Sequence, residues 1–574
     1  MAKKTKSRQA KNILFVMCDQ LRFDYLSCYG HPKLHTPNID ALAARGVTFD
    51  KAYVQSPVCG SSRMSYYTGR YMQSHGVSWN FVPLKAGELT IGDHLRPLGV
   101  RCALVGKTHM RADHAGLVRM GIDPKSQIGV RISECGFDPY ERDDGLHPFS
   151  GHDPDPHYNQ YLRDHGFDGD NPWENWANTV IDAQGKLHSG WFLKYSHLPA
   201  RIPAEHSETA YTTNRAMDFL RDAKRSNPEQ PWLLHLSYIK PHWPYVVPEP
   251  YASMYKPEDA LPLVRSKGEL KNPHPVYGAM TRHRVSRTFT DPSVRKSVMV
   301  GYMGLIKQID DELGRLFKFM KQENILENTM IVFCADHGDY LGDHWLGDKE
   351  MFHEAAVRTP LIVVDPDSRA DATRGTRCDA LVEAIDLAPT FLEVHGGEPL
   401  PHIMDGYSLR PIIFGQKPAQ WREIAISECD YSFQSSRIEL QTPSRQAWAR
   451  MAFDGRWKYV LTEGYRPMLF DLKVDPQELK DLGASQRPQH IGVRERLHEA
   501  LFRWARQPRQ RTTISDELIE NTDIQSRIAE GGLLIGYADE ADLIAQRNLF
   551  PPRYSSSNPL VKTTLDMLSG EVKS

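Results

Sequence analysis

Four short apolar runs in this chain each end on a cluster of polar residues. Asn12-Ile13-Leu14-Phe15-Val16-Met17-Cys18 runs into Asp19-Gln20, and residues 102–105 run into Gly106-Lys107-Thr108-His109. Residues 232–238 run toward Lys240-Pro241-His242, and 330–334 toward Asp336-His337-Gly338. Apolar runs of this length are expected to be strands buried on both faces. Helical patterns fall between them. Residues 39–45 follow a proline start signal, 62–68 end at Gly69, and 212–225 read as a further helix. Met303, Ile306, Ile309, Leu313 and Phe317 place one apolar stripe on a helix over 302–320. Strand and helix alternate to about residue 400, which predicts an α/β fold: a large, mostly parallel sheet with helices on both faces. In such a sheet the carboxyl ends of the strands form one edge, where ligands and chemistry gather. The four polar clusters are therefore expected on one rim.

Past residue 400 the pattern changes. Residues 447–453, 457–461 and 468–470 read as short strands, with Gly455-Arg456 as a hairpin turn, and 491–507 as a helix. This predicts a smaller C-terminal antiparallel sheet subdomain. Three segments result: 11–400 as the catalytic domain, 401–507 as the sheet-and-helix subdomain, and 508–574 as a polar extension suited to oligomerisation. Helical pieces are expected near 524–530 and 538–546. Residues 110–200 lack periodicity and read as long loops over the working face.

Composition excludes several classes of function. The chain has 574 residues, with 70 basic and 72 acidic side chains for a net charge of -2, so nothing in its overall charge draws nucleic acid or an anionic membrane. No apolar stretch reaches the roughly 17 residues of a membrane span. The basic leader Met1 to Ala10 has no signal-type apolar region after it, and the expected compartment is the cytoplasm. Its eight cysteines contain no C-x-x-C pair, which argues against a zinc ribbon or a disulfide scaffold.

Two of the clusters carry metal chemistry. Asp19, Gln20, Asp336 and His337 could together hold one divalent cation. The carboxylates and amide suit Ca²⁺, and the imidazole tilts the choice toward Mn²⁺. The alternative is that Asp336 and His337 cap the element after their strand. Lys107, His109, His242, Lys349 and Arg63 would surround that cation with positive and proton-donating groups, a setting for a tetrahedral oxyanion.

The segment Ser56-Pro57-Val58-Cys59-Gly60-Ser61-Ser62-Arg63, with Thr68-Gly69-Arg70 after it, makes the pattern specific. Together with Thr36-Pro37-Asn38-Ile39-Asp40, Gly342-Asp343-His344, Lys349, Arg358-Thr359-Pro360-Leu361, Trp457-Lys458-Tyr459 and Leu469-Phe470-Asp471-Leu472, it resembles a formylglycine-dependent type I sulfatase. That family belongs to the alkaline-phosphatase superfamily, in the branch that includes bacterial arylsulfatases and phosphonate monoester hydrolases. The resemblance spans about residues 11–485. It implies that Cys59 is oxidised to formylglycine by a dedicated formylglycine-generating enzyme and that the hydrated aldehyde is the nucleophile. It implies that Asp19, Gln20, Asp336 and His337 are the metal ligands and that Arg63 stabilises the nucleophile. Lys107 and His109 would contact the anion and the diol, and His242 and Lys349 would face the leaving oxygen. The chain departs from the family's Cys-x-Pro-x-Arg or Cys-x-Ala-x-Arg motif at Ser61.

The implied substrate is a small sulfate or phosphonate ester. Phosphonate monoester hydrolases tend to replace the Lys and His found here at 107 and 109, which favours an arylsulfatase. His337 and the long C-terminal extension point to the phosphonate branch. The competing classes are a non-catalytic metal and oxyanion binder, and a metallophosphomonoesterase using water or Ser61. A homodimer or homotetramer is implied. Trp243 and Tyr245 are candidate contacts for an aromatic leaving group, or core residues.

Overall fold

The computed structural model describes residues 9–145, 155–520 and 538–549. Most of the basic leader, part of the 110–200 region and the expected helical piece at 524–530 lie outside these residues. The chain divides into two compact units, one of residues 1–399 and 404–507, the other of 400–403 and 508–574.

The first unit is built on an eight-stranded sheet. Its strands are β1 (Asn12–Asp19), β2 (Val47–Tyr53), β3 (Arg101–Gly106), β4 (Asp138–Arg142), β7 (Trp232–Pro241), β8 (Thr329–Ala335), β9 (Leu361–Val364) and β10 (Thr376–Glu383). Between β4 and β7 in the chain, β5 (Thr179–Ile181) and β6 (Leu187–Ser189) form a small separate hairpin. The order across the large sheet is β10-β2-β9-β8-β1-β7-β3-β4. Neighbours run parallel except at β9, which is antiparallel to both β2 and β8.

β1 is the axis. Ile13, Phe15 and Met17 enter one core, and Leu14, Val16 and Cys18 enter the other, so the strand is buried on both faces as its unbroken apolar run requires. The helices Cys59–Thr68 and Leu387–Val394 contribute to the first core. The long helices Glu208–Ser226 and Pro292–Gln322 contribute to the second. The expected helix over 302–320 is thus longer, beginning at Pro292 with Asp291 as its cap. Residues 110–200 hold more structure than expected: short helices at His114–Arg119, Gln127–Ser133 and His157–Asp164, as well as β4 and the β5–β6 hairpin.

The smaller sheet is antiparallel, ordered β11 (Ala425–Asp430), β12 (Trp448–Phe453), β13 (Trp457–Thr462) and β14 (Met468–Asp471). The helix Pro488–Ala505 packs on it through Leu497, Leu501 and Trp504. Lys458, wholly buried on β13, ties this sheet to the short helix Glu354–Val357 that precedes β9: its Nζ lies 2.8 Å from Glu354 Oε1 and 2.6 Å from Glu478 Oε1. In the second unit the described helices are Asp516–Glu520 and Glu540–Leu549. Among the described residues no helix is long and apolar enough to cross a membrane.

Candidate active site and metal centre

The strand order brings four of the polar clusters side by side. β8, β1, β7 and β3 are consecutive and parallel, so Asp336-His337, Asp19-Gln20, His242 and Lys107 leave the same edge of the sheet. Register keeps them level: Cys18 pairs with Ala335, and Gly106 with Ser237. Gly106 has φ +105°, and a Cβ there would lie 2.0 Å from the Ser237 carbonyl oxygen. A bare backbone at that position lets the chain turn against β7 and carry Lys107 inward.

Cys59 begins the helix Cys59–Thr68, which ends at Gly69 in the left-handed region. The positive end of that helix therefore faces the rim. Gly60 N–H donates to Asn80 Oδ1 at 2.9 Å, which holds the first turn. Cys59 Sγ is 3.0 Å from His337 Nε2 and 3.8 Å from Asp19 Oδ1. His337 Nε2 is 3.8 Å from Asp19 Oδ1 and 3.7 Å from Asp336 Oδ1. Donor atoms of Asp19, Cys59, Asp336 and His337 all lie within 4.8 Å of one another, and all four residues are buried.

Positive groups close on this cluster. Arg63, with no exposed surface, donates from Nε to Asp336 Oδ2 at 2.7 Å and from a terminal nitrogen to Asp19 Oδ2 at 3.3 Å. Its other terminal nitrogen donates to the Lys107 carbonyl and to Ser237 Oγ, each at 2.8 Å. Lys107 Nζ is 2.5 Å from Asp19 Oδ2. Lys349 Nζ donates to Gln20 Oε1 at 3.0 Å. The amide nitrogen of Gln20 donates to Asp339 Oδ2 at 2.6 Å and to Asp348 Oδ1 at 3.1 Å.

The electrostatics follow from this crowding. Burial and the Asp19 charge raise the Cys59 thiol, yet Lys349, His337 and Lys107 prevail and bring it down to about 5. Burial disfavours the His337 imidazolium, but Asp336 and Cys59 outweigh it and lift it to about 9. Burial opposes ionisation of Asp19, and Lys107, His242 and Arg63 hold it well below the usual carboxylate range. The carboxylates of Asp19 and Asp336, the His337 imidazole once its Nε2 is free of a proton and a fourth donor at Cys59 make a donor set that fits one divalent cation, which would take the place of the His337 proton.

His109 lies at the half-buried rim with φ +54°. Its backbone N–H and that of Thr108 both donate to Asp144 Oδ1 at 3.1 Å, and its Nδ1 is buried with no hydrogen-bond partner among the described residues. His242 is 3% exposed, and its Nδ1–H donates to the Trp243 carbonyl oxygen at 2.6 Å. Direct contacts gather Asp19, Cys59, Arg63, Lys107, Asp336 and His337, and Lys349 joins them through Gln20. Tyr245 is a core residue, 1% exposed, donating to Asp339 Oδ2 at 2.5 Å. Trp243 is half-buried beside His242.

Sequence reasoning missed Asn80, Asp144 and Asp348, and gave no role to Asp339 at the end of the Asp336-His337-Gly338-Asp339 motif. None ends an apolar run; each acts through a residue distant in the chain, such as Gly60 for Asn80 or Gln20 for Asp339. Ser61, where the chain departs from the motif, has a buried Oγ with no partner among the described residues.

Residues 11–397 match the Sulfatase family model. The chain belongs to the sulfatase family. Residues 342–507 of this sulfatase match a second model, N-sulphoglucosamine sulphohydrolase, C-terminal. It is similar to the multifunctional alkaline phosphatase superfamily protein PehA of Trinickia caryophylli, 31% identical over 82% of this chain and 91% of that protein. It is also similar to an arylsulfatase of Clostridium perfringens, 28% identical over 82% of this chain and 90% of that one. Among solved structures it resembles a phosphonate monoester hydrolase from Silicibacter pomeroyi, with TM-score 0.75 and 28% identity over 88% of this chain and 98% of that chain. The eight-stranded sheet and the separate antiparallel sheet are the architecture of that fold.

Proposed function

We propose that this sulfatase hydrolyses sulfate monoesters, aryl sulfates above all, with phosphonate and phosphate esters as further substrates. The observation that carries the reading is Cys59 Sγ lying within 4.8 Å of the Asp19, Asp336 and His337 donor atoms. In the family, formylglycine hydrate supplies the attacking oxygen and later releases the oxyanion by carbon–oxygen cleavage, while a divalent cation stabilises negative charge. Here Asp19, Gln20, Asp336 and His337 would hold that cation, Mn²⁺ in preference to Ca²⁺ because one donor is an imidazole. Arg63 balances the charge of both carboxylates. Lys107 and Lys349 bind the ester's anionic oxygens. His109 accepts the proton of the second hydroxyl, and His242 and Lys349 face the leaving oxygen.

Lys107 and His109 favour sulfate over phosphonate. A phosphonate monoester hydrolase is the second reading, favoured by the likeness to PehA and to the Silicibacter enzyme. We further propose that a formylglycine-generating enzyme converts Cys59, that the protein works in the cytoplasm, and that it is a homodimer or homotetramer. Exposed Leu518, Ile519 and Ile544 beyond residue 507 support a contact with a second copy. The extension 508–574 would then be a separate functional segment after the catalytic domain at 11–400 and the subdomain at 401–507.

The test is a matched panel of aryl sulfate, phosphonate monoester and phosphate monoester, run on protein whose formylglycine content is known from mass spectrometry. Cys59→Ala should lose nearly all turnover. Undiminished turnover in that variant would sink the nucleophile assignment, and a phosphonate preference of about tenfold or more, about 1.4 kcal/mol in the barrier, would reverse the substrate ranking.

A further inference from the structure

Trp243 touches His242 in two independent ways. Its carbonyl oxygen lies 2.6 Å from His242 Nδ1. Its indole stacks on the imidazole, with centroids 4.7 Å apart and 25° between the planes. A carbonyl only accepts hydrogen bonds, so Nδ1 must carry a proton in this arrangement, whether the ring is neutral or cationic. Stacking fixes the plane in which the other nitrogen, Nε2, points.

The indole is itself held. Trp243 meets Trp191 edge-on at 5.7 Å and 68°, and Trp191 meets Trp173 at 5.8 Å. The two rungs behind Trp243 are tied down, Trp191 Nε1 donating to Glu174 Oε2 at 2.9 Å and Trp173 Nε1 to Glu208 Oε1 at 2.8 Å. The loop is closed from below by Lys240 Nζ, which donates to the Pro244 carbonyl oxygen at 3.0 Å. A bare substrate wall would need none of this apparatus behind it.

We infer that Trp243 is the positioning residue of His242: its carbonyl fixes the protonated nitrogen as Nδ1 and its indole fixes the ring plane, so that His242 exchanges protons with the reacting ester through Nε2 alone. A proton that Nε2 gives to the leaving oxygen, or takes from a hydroxyl, leaves the Nδ1–H in place. This rests on the placement of His242 at the leaving oxygen in the proposed reaction. Partners that orient a metal-ligating imidazole are worth about tenfold to a hundredfold when removed, and the same scale is expected for one that orients a proton-transferring imidazole.

Trp243→Ala should therefore lower kcat/KM for an aryl sulfate by about tenfold to a hundredfold, mainly in kcat, and Trp243→Phe should recover most of it. In a His242→Ala background, Trp243→Ala should cost nothing further, because its effect passes through the ring already removed. An equal loss in both backgrounds, or a loss confined to KM, would make Trp243 a substrate wall and overturn the proposal. A second measurement needs no turnover and no indole-free variant. In the ¹⁵N-labelled full chain, the imidazole N–H signal that disappears in His242→Gln should be an Nδ1–H. Finding Nε2 protonated and Nδ1 bare overturns the inference even if the protein proves inactive on sulfates. Inactivity of the wild type with the Nδ1–H present would count against the substrate reading alone.

Discussion

Arg63 directs three of its four hydrogen bonds at groups that would otherwise repel or stand unpaired: Asp19, Asp336 and the Lys107 carbonyl. Its guanidinium is fixed between the Asp19 and Asp336 carboxylates beside Cys59. Arg63→Leu should cost about 3–5 kcal/mol, since it leaves two buried charges without their guanidinium, and Arg63→Lys should recover only part because an ammonium cannot reproduce the fork. Thermal midpoints of the two variants check this. His235 tests the core in the same way. It sits on β7 between Phe15 and Phe137, bonded to Tyr67 of the Cys59 helix at 2.8 Å. Burial and then Arg63 push its pKa down to about 3. The folded value lies below the unfolded one of about 6.5, so its neutral form adds stability in full above pH 6.5, and that stability is lost as pH falls toward 3. The stability difference between wild type and His235→Gln should therefore shrink by about 2 kcal/mol between pH 7 and pH 5. A pH-independent difference would count against it. Asp19, Lys107 and Asp336 were readable because each ends an apolar run. Asn80 and Asp144 were not, because a polar loop residue shows nothing of which distant N–H it will accept from.

At the scale of elements, β13 carries Lys458, buried between Glu354 and Glu478. Lys458 also donates to the Phe352 carbonyl at 2.8 Å, just beyond the loop that holds Lys349. Burial raises the Glu354 carboxyl, but Lys458 and Arg358 overcome it and lower it from the ordinary value. Lys458→Met should cost about 3–5 kcal/mol near pH 7 by stranding Glu354 and Glu478. The deficit should narrow as pH falls toward 4, because the stranded carboxyls can then protonate while the wild type loses its ion pair. Denaturant midpoints at the two pH values decide it. The Gly455-Arg456 turn before β13 was legible from its residues. The strands that escaped notice lie at sheet margins. β4 is Asp138-Pro139-Tyr140-Glu141-Arg142, charged and carrying a proline, and β10 is exposed over its first half. Edge strands carry such residues to discourage further pairing, and those residues erase the apolar pattern by which a strand is recognised. The long helix was cut short in the reading for the opposite reason. Val298, Met299 and Val300 are all buried, so no single stripe marks its first turns.

At the scale of the whole molecule, the candidate ligands tie together segments far apart in the chain, Asp19 on β1 and Asp336 after β8. A cation bound there at about a hundred times its Kd stabilises the folded state by about 2.7 kcal/mol. Chelation should lower the thermal midpoint of the wild type and leave an Asp19→Ala, Asp336→Ala variant unmoved, with Mn²⁺ restoring more than Ca²⁺. The α/β alternation made the sheet and its rim readable, whereas the order of its strands depends on pairings between residues that no local pattern relates. That order has a consequence during synthesis. β1 pairs with β7 and β8, which begin only at Trp232 and Thr329. At roughly 5–20 residues per second, a ribosome makes the apolar strand Asn12–Asp19 about 10–45 seconds before its first partner is complete. For that interval the strand destined for the middle of the sheet has neither of its hydrogen-bonding partners, and its apolar run is open to pairing with the wrong neighbour.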